Sequence, residues 1–118
     1  MNRDEVLELC AGMPGAVEDY PFGEGVVVFK VGGRIFALVG LDDSPGSVNL
    51  KCDPDTALEL RARHPSVRPG YHMNKRHWNS VDLGPSIERG EFEWMVEHSY
   101  ELVVRALSAA KRAGISGS

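Results

Sequence analysis

Residues 68–80 read RPGYHMNKRHWNS and bring three cations, two imidazoles, two amides and two aromatic rings into one short stretch, all side chains suited to recognising another molecule. Arg68, Lys75 and Arg76 can contact phosphates. Asn74 can donate and accept toward base edges, and Tyr71, His72, His77 and Trp78 offer ring faces for stacking. If the stretch folds as a hairpin, its tip carries Asn74, Lys75 and Arg76, the shape of a wing laid along a duplex groove. Trp78 is expected to pack into the core, and Tyr71 can close the hairpin by pairing across it.

The charge distribution sharpens this reading. The 118-residue chain has formal net charge −4, yet Leu60 to Val81 holds five cations (Arg61, Arg63, Arg68, Lys75, Arg76) and no acid. Everywhere else, eight Lys and Arg face 17 Asp and Glu. The window is either one basic face on an acidic body or a stripe whose charges pair with acids elsewhere. An acidic body repels DNA, so any DNA binding should be weak and salt-sensitive.

Two other chemistries have weaker motifs. His72 and His77 lie five apart, with His64 and Cys52 as possible helpers for a metal. There is no HExxH, no CxxC pair and no carboxylate triad, so polar edge residues bonded to backbone account for the histidines, and neither metal nor cofactor is expected. Cys52 follows Lys51 and precedes a helix N-cap, a place that lowers a thiol pKa. It also ends an apolar strand, where a small buried thiol fits as well. FGEGVV enters a strand instead of opening a helix, so it is no phosphate loop. With no GxSxG or comparable signature, the chain is expected to be non-enzymatic.

These residues need elements to hold them. Asn2 and Glu5 form a capping box ahead of helical spacing at Val6, Leu9, Cys10 and Met13, which Gly12, Pro14 and Gly15 stop. VVVFKV (26–31) and RIFALVGL (34–41) read as strands joined by a Gly32-Gly33 turn. DDSPGS is a further turn and VNLKC (48–52) a third strand. Asp53 caps a helix with Pro54 at its first position, running to Arg63. VRPGYHM and RHWNSVDL then pair as a hairpin with Asn74-Lys75 at or near its turn, the first arm weakened by Pro69 and Gly70. Phe92, Val96, Ser99, Val103, Leu107 and Ala110 mark one face of a last helix, closed by Gly114.

The order α-β-β-β-α-β-β-α predicts a single α+β domain over 1–113, a mainly antiparallel five-stranded sheet and a disordered tail over 114–118. Both sheet faces are apolar at the centre, so either helices cover both or one meets loops or a second subunit. A monomer or homodimer is expected. No apolar run reaches the roughly 18 residues of a membrane span, and with reduced cysteines and no export signal the chain is expected to be cytoplasmic.

YPFG, VFKVGGRIFAL, VNLKCDP, RPGYHMNKRHWNSVDL and HSYELVVRAL together resemble the MmcQ/YjbR family of small bacterial proteins, across residues 19 to 107. The resemblance implies a fold similar to the secretion-chaperone-like class. It also implies DNA binding through a double-wing arrangement, with no established reaction. Carried onto this chain, the motif positions are Lys51, Arg68, Tyr71, His72, Asn74, Lys75, His77 and Trp78; with Arg76 added from the charge reading and Trp78 assigned to packing, the binding set is Lys51, Arg68, Tyr71, His72, Asn74, Lys75, Arg76 and His77. The alternative partners for this surface are an acidic protein or a small anion.

Overall fold

The computed structural model describes residues 1–42 and 46–116. Helix α1 (Arg3–Ala11) starts at the expected capping box: Asn2 Oδ1 accepts from the Glu5 N–H at 2.9 Å, and Glu5 Oε1 accepts from the Asn2 N–H at 3.0 Å. Strands β1 (Val17–Asp19), β2 (Val26–Val31), β3 (Arg34–Gly40) and β4 (Ser47–Lys51) follow. Then come α2 (Pro54–Arg63), β5 (Val67–Pro69), β6 (Trp78–Asp82), α3 (Arg89–Arg105) and α4 (Ala109–Ser116). The strands form one antiparallel sheet in the order β1-β2-β3-β4-β6-β5. Gly32 and Gly33 both have positive φ, at 58° and 82°, as the two-residue turn between β2 and β3 requires. Three residues of the expected DDSPGS turn, 43–45, lie outside the described residues.

The sheet has six strands where the sequence predicts five. The extra one, β1, is the polar tripeptide Val-Glu-Asp, which has no apolar alternation to betray it. It is an edge strand held by β2 and by an ion pair between Asp19 and Lys30 at 2.8 Å.

The long C-terminal helix expected from Phe92 to Ala110 is two helices. α3 ends at Arg105, and Ser108 Oγ accepts from the Lys111 N–H at 3.3 Å, so a hydroxyl starts α4 where the α3 pattern stops. Leu107, at the break, is buried against Gly32: a Cβ on that glycine would lie 2.5 Å from Leu107 Cδ1. Gly114 sits inside α4. Residues 114–116 of the expected tail are therefore helical, and 117–118 lie outside the described residues.

The helices build the core on one face of the sheet. Phe29, Ala37, Val39, Val48, Leu50 and Val81 point toward Val6 and Cys10 of α1, Leu60 of α2, and Phe92, Met95 and Val96 of α3. Phe36 departs from simple alternation. The β2–β3 register steps from Phe29–Ala37 to Lys30–Ile35, leaving Phe36 as a bulge residue that turns to the helix side beside Ala37. There it packs edge-on against Tyr100 of α3, with ring centroids 5.4 Å apart. Ser99, buried in α3, donates to the Phe36 carbonyl at 2.5 Å and accepts from the Lys51 N–H at 2.9 Å, so one hydroxyl ties α3 to β3 and β4.

The other face carries Val26, Val28, Leu38, Asn49, Lys51, Ser80 and Trp78, by their register with one another. Val28 is fully buried there, while Val26 and Leu38 are half-buried. The candidate site lies on this face.

Candidate functional site

The expected hairpin forms, but with short arms and a long tip. β5 and β6 pair only at Val67–Val81, Arg68–Ser80 and Pro69–Asn79, and residues 70–77 make a loop. Gly70 closes the arms. Its N–H donates to the Trp78 carbonyl at 2.8 Å, and a Cβ in its place would lie 2.7 Å from that of Trp78. Asn74 does stand at a turn: its carbonyl accepts from the His77 N–H at 3.2 Å and its Oδ1 from the Arg76 N–H at 3.0 Å.

Two polar residues on the second sheet face fix the base of this loop. The Tyr71 N–H donates to Ser80 Oγ at 2.9 Å, Ser80 Oγ donates to Asn49 Oδ1, and Asn49 Nδ2 reaches the Tyr71 carbonyl at 3.4 Å. Beyond this ring of bonds His72 adopts φ of 59°, a left-handed conformation that costs a residue with a Cβ about 1–2 kcal/mol. The Tyr71 and His72 rings lie against each other, with centroids 4.0 Å apart.

From the other side the loop is braced by α2. Arg61 Nε donates to Asn79 Oδ1 at 2.7 Å, and its Nη2 donates to the Lys75 carbonyl and, at 3.2 Å, to that of Trp78. This bears on Trp78, which the sequence reading places in the core. Val81 faces the helices, so the two-residue period sends Asn79 inward as well and Trp78 to the second face. Asn79 is 2% exposed and Trp78 is half-buried. The buried amide is tolerated because Arg61 meets its oxygen.

A groove of about 440 Å³ opens on the second face. Val26, Leu38, Gly40, Ser47 and Asn49 form its floor; Phe22 lines it from the loop before β2, and Tyr71, His72 and Met73 from the 70–77 loop. Phe22 and Tyr71 are 65% and 67% exposed, unusually high for such large rings. A larger groove of about 730 Å³ between α2 and α3 is lined by Glu59, Glu88 and Glu91 with Arg63 its lone cation, a poor setting for an anion.

The eight expected binding residues therefore divide. Tyr71 and His72 line the groove. Asn74, Lys75 and Arg76 are exposed at the loop tip, and neither cation pairs with a carboxylate among the described residues. Arg68 is exposed but pairs with Asp82 on β6. Lys51 is half-buried opposite Trp78, and half-buried His77 uses its carbonyl to accept from the Cys52 N–H at 2.8 Å. Of the remaining cations in the basic window, Arg63 pairs with Glu91 and Arg61 is the brace. Asn49, Ser80, Phe22 and Arg61 escape sequence reasoning. Asn49 and Ser80 each stand at the middle of a short strand that mixes polar and apolar residues, so their types alone do not single them out.

His64 and Cys52 do not join this site. His64 Nε2 lies 2.9 Å from Glu91 Oε1, and no group of three potential metal-binding side chains lies together among the described residues. Cys52 is buried, and burial, reinforced by Asp53, pushes its thiol up to about 11, the opposite of an activated nucleophile.

Similarity to known proteins follows the same span. The YjbR family model matches residues 11–102. YbdF of Escherichia coli O157:H7, an uncharacterized protein, is 42% identical over 102 residues, covering 86% of this chain and 76% of its own. The uncharacterized protein YjbR of Escherichia coli K12 is 34% identical over 112 residues, covering 95% of each chain. Among solved structures, the Deinococcus radiodurans protein DR2400, a DUF419 domain, superposes with TM-score 0.91 at 34% identity over 98% of this chain and 88% of that one. A Pseudomonas syringae protein superposes with TM-score 0.75 at 26% identity, over 87% of this chain and 99% of its own. No described helix is long and apolar enough to cross a membrane. With most of its length matched by the family model and by full-length relatives, the chain belongs to the YjbR family.

Proposed function

We propose that this protein is a non-enzymatic DNA-binding module that offers the 70–77 loop as its contact surface. The observation that carries the reading is the loop's outer side, where exposed Lys75 and Arg76 stand beside exposed Asn74 without a carboxylate partner among the described residues. Cations of this kind attract phosphates, and the Asn74 amide has capacity left for a further bond. The rest of the chain is acidic, so binding is weak and depends on low salt.

Titration of labelled DNA with the protein at two salt concentrations tests this. Binding should weaken with salt, by roughly tenfold for a fourfold rise if two phosphates are held, and Lys75→Glu/Arg76→Glu should abolish it. A blank titration at low ionic strength, with single- and double-stranded DNA alike, would remove the reading. One observation favours a second reading, a site for a small ligand or a protein segment: the groove has no Lys or Arg in its lining among the described residues, and its volume falls in the range of small-molecule sites. That is the account a blank titration would leave standing.

A further inference from the structure

We infer, resting on the DNA-binding reading above, that the DNA this protein takes is unpaired, and that a base enters the groove between Phe22 and Tyr71. The charge supply is the first argument. A wing laid along a duplex needs cations facing phosphates on both sides of a groove. Three of the five cations in the basic window are otherwise engaged: Arg61 with backbone carbonyls and Asn79, Arg63 with Glu91, Arg68 with Asp82. Among the described residues Lys75 and Arg76 remain unpaired, adjacent on one loop, enough for a phosphate or two of a single strand.

The groove supplies the second argument. Sites for single-stranded nucleic acid combine a few cations with exposed aromatic faces, because every base has a face to stack. Phe22 and Tyr71 are such faces, and they line one groove. Ser47 and Asn49 on its floor and His72 at its side are its polar lining, which suits the edge of a neutral base. A base within a duplex has both faces covered by stacking and its edge by pairing, so it cannot use this groove.

The loop joins the two features. Tyr71 is only a few residues from Lys75 and Arg76, so a nucleotide whose base lies in the groove brings its phosphate toward the loop tip. The hydrogen bonds through Ser80 and Asn49 and the left-handed His72 hold the Tyr71 end of the loop in place.

The test uses the full chain and three labelled probes in fluorescence anisotropy at low salt. They are a mixed-sequence strand of about 12 nucleotides, within the reach of one compact site, the same strand annealed to its complement, and a strand of equal length with abasic sugars throughout. The strand should bind roughly tenfold or more tighter than the duplex, about the effect of stacking one base. The abasic strand should lose that advantage. Tyr71→Ala and Phe22→Ala, both at exposed positions and checked for unchanged melting, should each weaken strand binding severalfold more than duplex binding. A duplex or abasic strand bound as tightly as the natural strand would overturn this inference and leave the DNA-binding reading intact. So would a strand preference indifferent to both substitutions. No binding to any probe would overturn both.

Discussion

Arg61 offers the sharpest test of how the site is held. Its guanidinium reaches Asn79 Oδ1 at 2.7 Å, the Trp78 carbonyl at 3.2 Å and the Lys75 carbonyl. Arg61→Met keeps most of the apolar stem and deletes all three bonds. The Lys75 carbonyl is exposed and can turn to water, and that of Trp78 keeps the Gly70 N–H. Asn79 has no such recourse. It is 2% exposed, and its Nδ2 already has no partner among the described residues, so the whole amide would be stranded. An unsatisfied buried acceptor costs about 1–3 kcal/mol, and losing the bonds to a charged group brings the expected destabilisation to roughly 2–3 kcal/mol. At about 4 °C per kcal/mol for a chain of this size, Tm should fall by roughly 8–12 °C. Urea denaturation measures the first effect, and amide hydrogen exchange over Tyr71–His77 measures the loosened loop. Adding Asn79→Leu should recover much of the stability by removing the stranded amide, while the loop still exchanges fast. Stability within 0.5 kcal/mol of wild type and unchanged exchange in the single variant would show that the brace carries no weight.

Lys75→Glu/Arg76→Glu should leave stability within about 0.5 kcal/mol, because both residues are exposed, while eliminating DNA binding in the anisotropy assay. His98 is held below its ordinary pKa of 6.5, chiefly by burial; its Nε2 accepts from the Asp53 N–H at 3.2 Å, and it stacks on Trp94 with ring centroids 4.7 Å apart. Asp53 and Glu101 pull its pKa up, and Arg105 pushes it down. Its pKa is lower folded than unfolded, so the unfolded chain takes up the proton first. Its contribution is therefore complete above pH 6.5 and is lost as pH falls below that; urea midpoints that stay flat from pH 7.5 to 5 in wild type but fall in His98→Gln would contradict this. Cys52 should resist alkylation at pH 8 in the native protein and react fully in urea, since burial holds the thiol protonated; rapid native labelling followed by mass spectrometry would refute that.

The local signals in the chain carried far when chemistry and geometry were both local. The Asn2–Glu5 capping box, the Asp53–Pro54 start of α2 and the Gly32–Gly33 turn each depend on neighbours within a few residues, and each forms as expected. One miss is local, the break between α3 and α4 at the Ser108 cap; the others are long-range. β1 is a strand because Lys30 and the edge of β2 receive it, with nothing in Val-Glu-Asp to announce it. The bulge at Phe36 appears only once β2 and β3 are in register. At the site, Tyr71, His72, Asn74, Lys75 and Arg76 stood out by residue type alone. Whether a cation in the basic stretch meets solvent depends on an acid or carbonyl brought by another element. Arg68 finds Asp82 and Arg63 finds Glu91, while Lys75 and Arg76 find neither among the described residues. Trp78 and Asn79 exchanged their expected surroundings because Val81 sets the phase of β6 and Arg61 makes a buried amide acceptable.

Backbone amide chemical-shift mapping with a short DNA strand locates the contact surface residue by residue. Shifts should concentrate at Tyr71–Arg76, with smaller ones at Phe22, Leu38 and Asn49 across the groove, all collapsing at high salt. Shifts confined to the acidic groove between α2 and α3, or no shifts at any salt, would contradict DNA binding through the 70–77 loop.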